Sequence, residues 1–382
     1  MLIKNWDFAE QENTWEVSAD IDGFRLWYRV PKTYAVSRSG DPFLAVALLP
    51  AMLKGEGLEM DPGLPVSPKL LGNAYLLQEI HHSWNPVLKR ISIQARTEPA
   101  LPVNAGAFSF FSGGVDSMFT FLKRRQDISH AVFIHGFDFF LDQRDFQTAV
   151  ARNAAFVQDF GKTLIPIETN YHPFSYRYNL SRSLTQGGGL SSIALLLGFS
   201  RVYVPASDHY SHLAPLGSHP LTDPLYSNEC VEIIHDGVEA RRVDKVIAIA
   251  EYASALANLT VCYNDMNKNC GTCIKCLRTM IPLSALKIGS APFPPLPPLK
   301  VIRRVDWSHE PNFLKQNIEL ALRTGHRELA DTLSACQRKY DRRQIINDVD
   351  RILLGGIFNR ACRRLSKTPA EARRIKATPP KD

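Results

Sequence analysis

From residue 103 onward the chain alternates short apolar runs with segments of helical period, and this alternation leaves few folds open to it. Candidate strands at 107–111, 131–135, 164–168 and 201–205 are separated by helical patterns at 117–125, 146–160 and 190–198. Strands that alternate with helices form parallel sheets, because each crossover needs a helix-length connection packed on a sheet face. The expected fold class is α/β, a doubly wound parallel sheet with ligands at the carboxyl ends of its strands.

Four regions are expected. Residues 1–100 form an N-terminal α+β extension. In it Trp15, Val17, Ala19 and Ile21 alternate with polar residues, as do Phe24, Leu26, Tyr28 and Val30, and Asp22-Gly23 is a tight-hairpin dipeptide. A helix near 73–84 and a strand near 91–95 follow. This region reads as a cover for the central sheet or as the surface of a homodimer. Residues 101–289 are the α/β domain. Residues 290–300 hold five prolines and read as an extended linker. Residues 301–382 carry helical periods at 312–323, 326–340 and 344–358, a C-terminal helical appendage.

Charge separates these regions. The net charge is +7, but residues 338–382 contain 13 Lys or Arg against 5 Asp or Glu. The body is therefore nearly neutral, and the basic tail is more readily a solvated helix face than a nucleic-acid-binding arm. No apolar run approaches the ~20 residues of a membrane span, and the N-terminus lacks a signal-peptide pattern. The expectation is a cytoplasmic protein.

The first motif with chemistry is Ser112-Gly113-Gly114-Val115-Asp116-Ser117, between a strand and a helix. Its glycines admit backbone N–H groups to an anion, the helix N-terminus adds partial positive charge, and two hydroxyls can donate to phosphate oxygens. Asp116 would repel phosphate directly, so a magnesium-linked or loop-orienting role suits it. No Gly-Lys-Ser/Thr follows, which excludes a Walker A loop. The motif in this setting resembles the signature of the PP-loop ATP pyrophosphatases, of the adenine nucleotide α-hydrolase-like fold. That family cleaves ATP between the α- and β-phosphates and transfers AMP to a substrate oxygen. The resemblance implies ATP and Mg2+ as cofactors, with Ser112, Gly113, Gly114, Val115, Asp116 and Ser117 on the phosphates. Ile134 and His135, at the end of the second strand, would place backbone groups against the adenine. Asp138 just beyond them would either bind or cap a helix.

The second motif is Cys262-x7-Cys270-x2-Cys273-x2-Cys276, four of the seven cysteines within fifteen residues. Four thiolates at this spacing close a tetrahedral Zn2+ site, with an iron–sulfur cluster as the rival occupant. Cys262-Tyr263-Asn264, the Cys-Gly-Thr-Cys-Ile-Lys-Cys run and Arg278 resemble the zinc-binding end of the 7-cyano-7-deazaguanine synthase family. With the phosphate loop, the resemblance covers about half the chain. It implies adenylation of the carboxylate of 7-carboxy-7-deazaguanine or a related deazapurine. Capture by ammonia or an amine then gives an amide or nitrile, AMP and pyrophosphate.

Two segments depart from that pattern. The loop at 206–225 offers Asp208, His209, His212, Ser218, His219 and Asp223 as substrate contacts, in a sequence unlike the family's own substrate segment. Arg182 and the run Gly187-Gly188-Gly189 precede the helical pattern at Leu190, as an anion-admitting helix start or a hinge. The expected catalytic set is Asp116, Ser117, Arg182 and Asp208. Longer relatives of the synthase family occur in bacterial antiviral systems, where an amine on a protein acceptor could capture the adenylate. Two other readings remain beside the carboxylate ligase: a tRNA-modifying PP-loop enzyme and a non-catalytic nucleotide-binding partner.

Overall fold

The computed structural model describes residues 1–137, 141, 145–262, 264–289, 292–307 and 311–354. Asp138, Tyr263, Ser290, Ala291, Cys362 and the rest of the basic tail beyond 354 lie outside them.

Among the described residues, ten strands and twelve α-helices form an α/β fold on one mostly parallel sheet. The chain runs β1 (Leu2–Glu10), β2 (Thr14–Ile21), β3 (Phe24–Pro31), α1 (Asp41–Lys54), β4 (Leu58–Met60), α2 (Pro68–Trp84) and β5 (Ile93–Gln94). Then come β6 (Asn104–Phe110), α3 (Val115–Arg124), β7 (His130–His135), α4 (Phe146–Asp159), β8 (Thr163–Thr169), α5 (Tyr171–Arg177), α6 (Arg182–Leu197) and β9 (Phe199–Pro205). The remaining elements are β10 (Glu232–Asp236), α7 (Arg242–Ala250), α8 (Ala253–Asn258), α9 (Ile274–Ala285), α10 (Leu299–Ile302), α11 (Pro311–Arg323) and α12 (Arg327–Leu354). No helix among the described residues is long and apolar enough to cross a membrane.

The sheet order is β10-β9-β6-β7-β8-β3-β2-β1-β4-β5. From β10 to β8 every pairing is parallel. Alternation along these strands feeds two cores, as a sheet covered on both faces requires. Phe108, Phe110, Val132, Ile165, Ile167, Val202 and Val204 join the core under α1 and α6. Ala107, Ala131, Phe133, Leu164 and Tyr203 join the core under α3, α4 and α7. β6 is central, with β7 and β8 added on one side and β9 and β10 on the other. The order reverses between β6 and β9, and the crevice at such a switch point is where open α/β sheets bind ligands.

The N-terminal region extends this sheet edge to edge, and the same core continues through it. The hairpin forms at the expected dipeptide, where Asp22 and Gly23 have φ of 51° and 77°. β3 then pairs antiparallel with β8 through Tyr28–Thr169 and Arg29–Glu168. Side chains reinforce the short seam: Trp27 N donates to Asn170 Oδ1 (2.9 Å), and Thr169 Oγ1 donates to Trp27 O (2.8 Å). The Tyr28 and Ser192 hydroxyls share a buried hydrogen bond of 2.9 Å. At the other end, α11 and α12 pack Leu314, Ala321, Leu329 and Leu333 against Leu277 and Ile281 of α9. The proline-rich segment carries no helix or strand between 294 and 298, α10 begins at Leu299, and Phe293 is buried in the core under α3, α4 and α7.

Two expectations are corrected. The periods at 326–340 and 344–358 belong to one continuous helix as far as Leu354. Gly187, Gly188 and Gly189 do not start a helix; they lie inside α6, which begins at Arg182. They are sites of close packing. A Cβ on Gly187 would lie 1.9 Å from Gly217 O, one on Gly188 2.5 Å from Ala45 O, and one on Gly189 2.5 Å from the Tyr171 ring. Three glycines in a helix interior disfavour it by about 1 kcal/mol each, and the close approach of α1 and the 206–225 loop is what they permit. Gly187→Ala should therefore lower stability by about 1–3 kcal/mol or more in chemical denaturation. Gly72→Ala in α2, where a Cβ meets nothing within 4 Å, should be neutral or stabilising by about 1 kcal/mol. Equal effects of the two would contradict the packing role.

Candidate functional site

A cleft of about 380 Å³ opens at the carboxyl ends of β6, β7 and β9, over the switch point. Ser112, Asp116 and Ser117 of the phosphate-loop motif line it, with Ile134 of β7, Arg182 of α6 and Asp208 after β9. Phe111, Val132, Phe133, Phe137 and Leu190 give it an apolar patch within a mostly polar lining, and Lys275, Arg278 and Phe313 complete it from α9 and α11.

The loop between β6 and α3 is closed on itself. Ser112 N donates to Ser117 Oγ (3.1 Å), Ser117 Oγ donates to Gly114 O (3.0 Å), and the two serine hydroxyls lie 3.2 Å apart. Gly113 has φ of 77°, and its carbonyl accepts from Thr260 N at 2.9 Å. That bond ties the loop to the strand-like segment entering the cysteine cluster. Gly114 caps α3 with no side-chain bond to the first turn, so the start of the helix is left uncapped by a side chain, between Ser112 and Ser117, which line the cleft. Val115 is buried, so any contact with a ligand would be through its backbone.

Asp116 is not the solvent-facing loop residue that the motif suggests. Its side chain is one-fifth exposed and makes two ion pairs, to Arg242 Nη1 (2.7 Å) and Lys245 Nζ (3.2 Å), both almost wholly buried. Burial alone would raise its pKa, but the charges of Arg242, Lys245 and Arg278 outweigh it and hold the carboxyl at about 2. Lys245 also donates to Ala206 O at 2.6 Å. Of the two roles expected for Asp116, loop orientation is the one this geometry describes.

Of the pair at the end of β7, Ile134 lines the cleft and the His135 side chain does not. His135 is buried, stacked on Phe146 with ring centroids 3.9 Å apart. The 206–225 loop divides. Ser207 and Asp208 face the cleft. His209 and His212 both bond Ser211 Oγ at 2.7 Å in a surface turn. Ser218 Oγ (2.8 Å), His219 N (3.3 Å) and His235 Nδ1 (2.7 Å) converge on the buried Asp223. His219 packs edge-on against Trp84. This half of the loop is a structural network.

Cys262, Cys270, Cys273 and Cys276 come together with all four sulfurs within 4.8 Å of one another, close enough to hold a metal ion such as zinc. Cys270 and Cys276 sulfurs are 4.0 Å apart, against about 3.8 Å for the edge of a tetrahedron with ~2.3 Å zinc–sulfur bonds. None of the four is in a disulfide. Backbone N–H groups of Asn264 and Cys273 donate to the sulfurs of Cys262 and Cys270 at 3.3 Å each, the donors a thiolate requires. The donor set fits a closed structural site with no open position. Cys273 is the N-cap residue of α9 and Cys276 lies in its first turn. The three histidines at 209, 212 and 219 do not form a second such cluster among the described residues.

Sequence reasoning missed Arg242, Lys245, Lys275 and Phe313. The i, i+3 spacing of Arg242 and Lys245 was the available signal for one cationic helix face. No family model, no curated protein and no solved structure matches the chain.

Asp116→Ala removes the carboxylate shared by two buried cations and should cost about 3–5 kcal/mol in denaturant unfolding. An unchanged midpoint would contradict the pairing. Because the folded pKa lies below the ordinary 3.8, the ion pairs contribute fully above about pH 4 and less as the pH falls toward about 2. Acid titration should show that loss in the wild type and not in the variant. The purified protein should hold about one metal per chain by elemental analysis, and Cys273→Ser should lower both metal content and melting temperature. A metal-free chain of unchanged stability would contradict the site.

Proposed function

We propose that this protein is an ATP-dependent ligase of the PP-loop type, resembling 7-cyano-7-deazaguanine synthase, that adenylates a substrate carboxylate. The observation that carries the reading is the position of Ser112–Ser117: a serine- and glycine-bearing loop, uncapped at the start of α3, at the switch point of the sheet and in the wall of a cleft.

In this reading the backbone N–H groups of the loop and the hydroxyls of Ser112 and Ser117 donate to phosphate oxygens. Arg182, Lys275 and Arg278 balance their charge, in a site where removal from water strengthens each such contact. The apolar patch beside Ile134 suits the flat face of a purine. Magnesium would supply further neutralisation of the phosphates, with Asp208 as the second carboxylate of the cleft wall beside the ion-paired Asp116. A carboxylate oxygen attacks the α-phosphorus and the bond to the β-phosphate breaks, so pyrophosphate leaves. Ammonia or an amine then attacks the acyl carbon, and AMP leaves with the electron pair of the carbon–oxygen bond. The four cysteines would hold zinc as a structural ion, since every position is filled by sulfur. A deazapurine acid is the substrate class that the resemblance favours, and a protein amine is the alternative acceptor.

Incubation with ATP and candidate deazapurine carboxylates, followed by phosphorus NMR, should show AMP and pyrophosphate in equal amounts. ADP and phosphate as the products would overturn the reading.

A further inference from the structure

We infer that Lys275 and Arg278 form the binding arm for the pyrophosphate half of the nucleotide, and that the four-cysteine metal is what positions that arm. The inference rests on the reading of the cleft as an ATP site. It assigns a task to two residues of α9 and to a metal that has no open coordination position.

Three observations lead to it. First, Lys275 and Arg278 line the same cleft as Ser112, Asp116 and Ser117. The charge of Arg278 reaches Asp116 at the start of α3, which places the guanidinium on the phosphate-loop side of the cleft. Second, the charge of the wall favours a polyanion. Among the described residues, Arg182, Lys275 and Arg278 line the cleft and Arg242 and Lys245 pair with its edge, against the carboxylates of Asp116 and Asp208. Several cationic groups gathered at one cleft suit a ligand of several negative charges better than one of a single charge. Pyrophosphate and the β,γ-phosphates of a nucleoside triphosphate share that chemistry.

Third, both cations are held in place by features outside the sheet. Lys275 sits between Cys273 and Cys276, and Arg278 one half-turn beyond, so an ion gripped by those sulfurs fixes the rotation and start of α9. The guanidinium of Arg278 stacks on the Phe313 ring, 4.6 Å from its centroid, and Arg278 is 9% exposed. The C-terminal appendage thus supplies a surface that orients one arm of the site, and Phe313 is a positioning residue. A guanidinium held against a ring in this way loses little freedom on binding a phosphate oxygen pair.

The test is calorimetric titration of the full chain, metal loaded, with inorganic pyrophosphate, ATP and AMP. Lys275→Gln alters a half-buried side chain and should keep metal content and melting temperature. It should weaken pyrophosphate and ATP binding about tenfold or more and leave AMP binding within about twofold, the loss expected for one charge-assisted hydrogen bond. Arg278→Gln should act in the same direction, and Phe313→Leu should weaken pyrophosphate binding while Phe313→Tyr restores it. Removal of the metal by a chelator should raise hydrogen exchange across 274–285 and weaken pyrophosphate binding in parallel. If the wild type binds neither pyrophosphate nor ATP, the reading of the cleft fails and this inference with it. If the wild type binds both and Lys275→Gln and Arg278→Gln bind them equally well, this inference alone is overturned. Undiminished pyrophosphate binding with a raised KM for the carboxylate would also overturn it, and would assign the two cations to the acid.

Discussion

Two buried cations, Arg242 and Lys245, meet one carboxylate on the first turn of α3, and three chain segments are held together there. Asp116 lies at the end of the loop between β6 and α3, Arg242 and Lys245 belong to α7, and Lys245 reaches on to the carbonyl of Ala206 at the end of β9. The loop after β6 and the loop after β9 are the two sides of the crevice at the switch point. A buried ion pair adds little net stability over apolar packing, but removal of one partner is expensive. The arrangement therefore specifies geometry: it sets the distance between the loop that would hold phosphates and the segment that carries Asp208.

The cysteine cluster acts on the opposite wall. Thr260, two residues before Cys262, donates its backbone N–H to Gly113, and α9 departs from Cys273 to carry Lys275 and Arg278 into the cleft. α11 packs on α9 and presents Phe313 to the same space. The cleft is thus assembled from the central sheet, a helix that starts at the cysteine cluster and the C-terminal appendage. The N-terminal strands take no part in its lining; they lengthen the sheet past β8, while α1 covers α6 through the gap that Gly188 leaves.

Much of this was legible in the sequence where local pattern and structure share a cause. The β6–loop–α3 unit was visible because apolar run, glycines and helix period fall in one short stretch, and the cysteine cluster because four ligands to one ion lie within fifteen residues. α1 was not visible: it is apolar from Phe43 to Met52 and buried on all sides, so it carries no helical periodicity. The triple glycine signalled a helix start by propensity, and tertiary packing overrode that signal. The partners of Asp116 lie 126 and 129 residues away, a separation that no spacing rule spans. The polar loop at 206–225 read as one substrate surface because its composition is uniform, whereas Ser207 and Asp208 reach the cleft, His209 and His212 bond Ser211 in a surface turn, and Asp223 gathers Ser218 and His219. The edge-to-edge join of β3 with β8 rests on two residue pairs and their side-chain bonds, and the hydrophobic pattern of an edge strand says nothing about which strand it will meet.

The central claim is that a carboxylate oxygen attacks the α-phosphorus of ATP in this cleft. It is tested most directly with a substrate acid carrying heavy oxygen in its carboxyl group. Adenylation followed by amine capture leaves one labelled oxygen in AMP, detected as a mass increment in the nucleotide. AMP that forms at the same rate with no label would show that water or another group attacks the phosphorus, and would contradict the account.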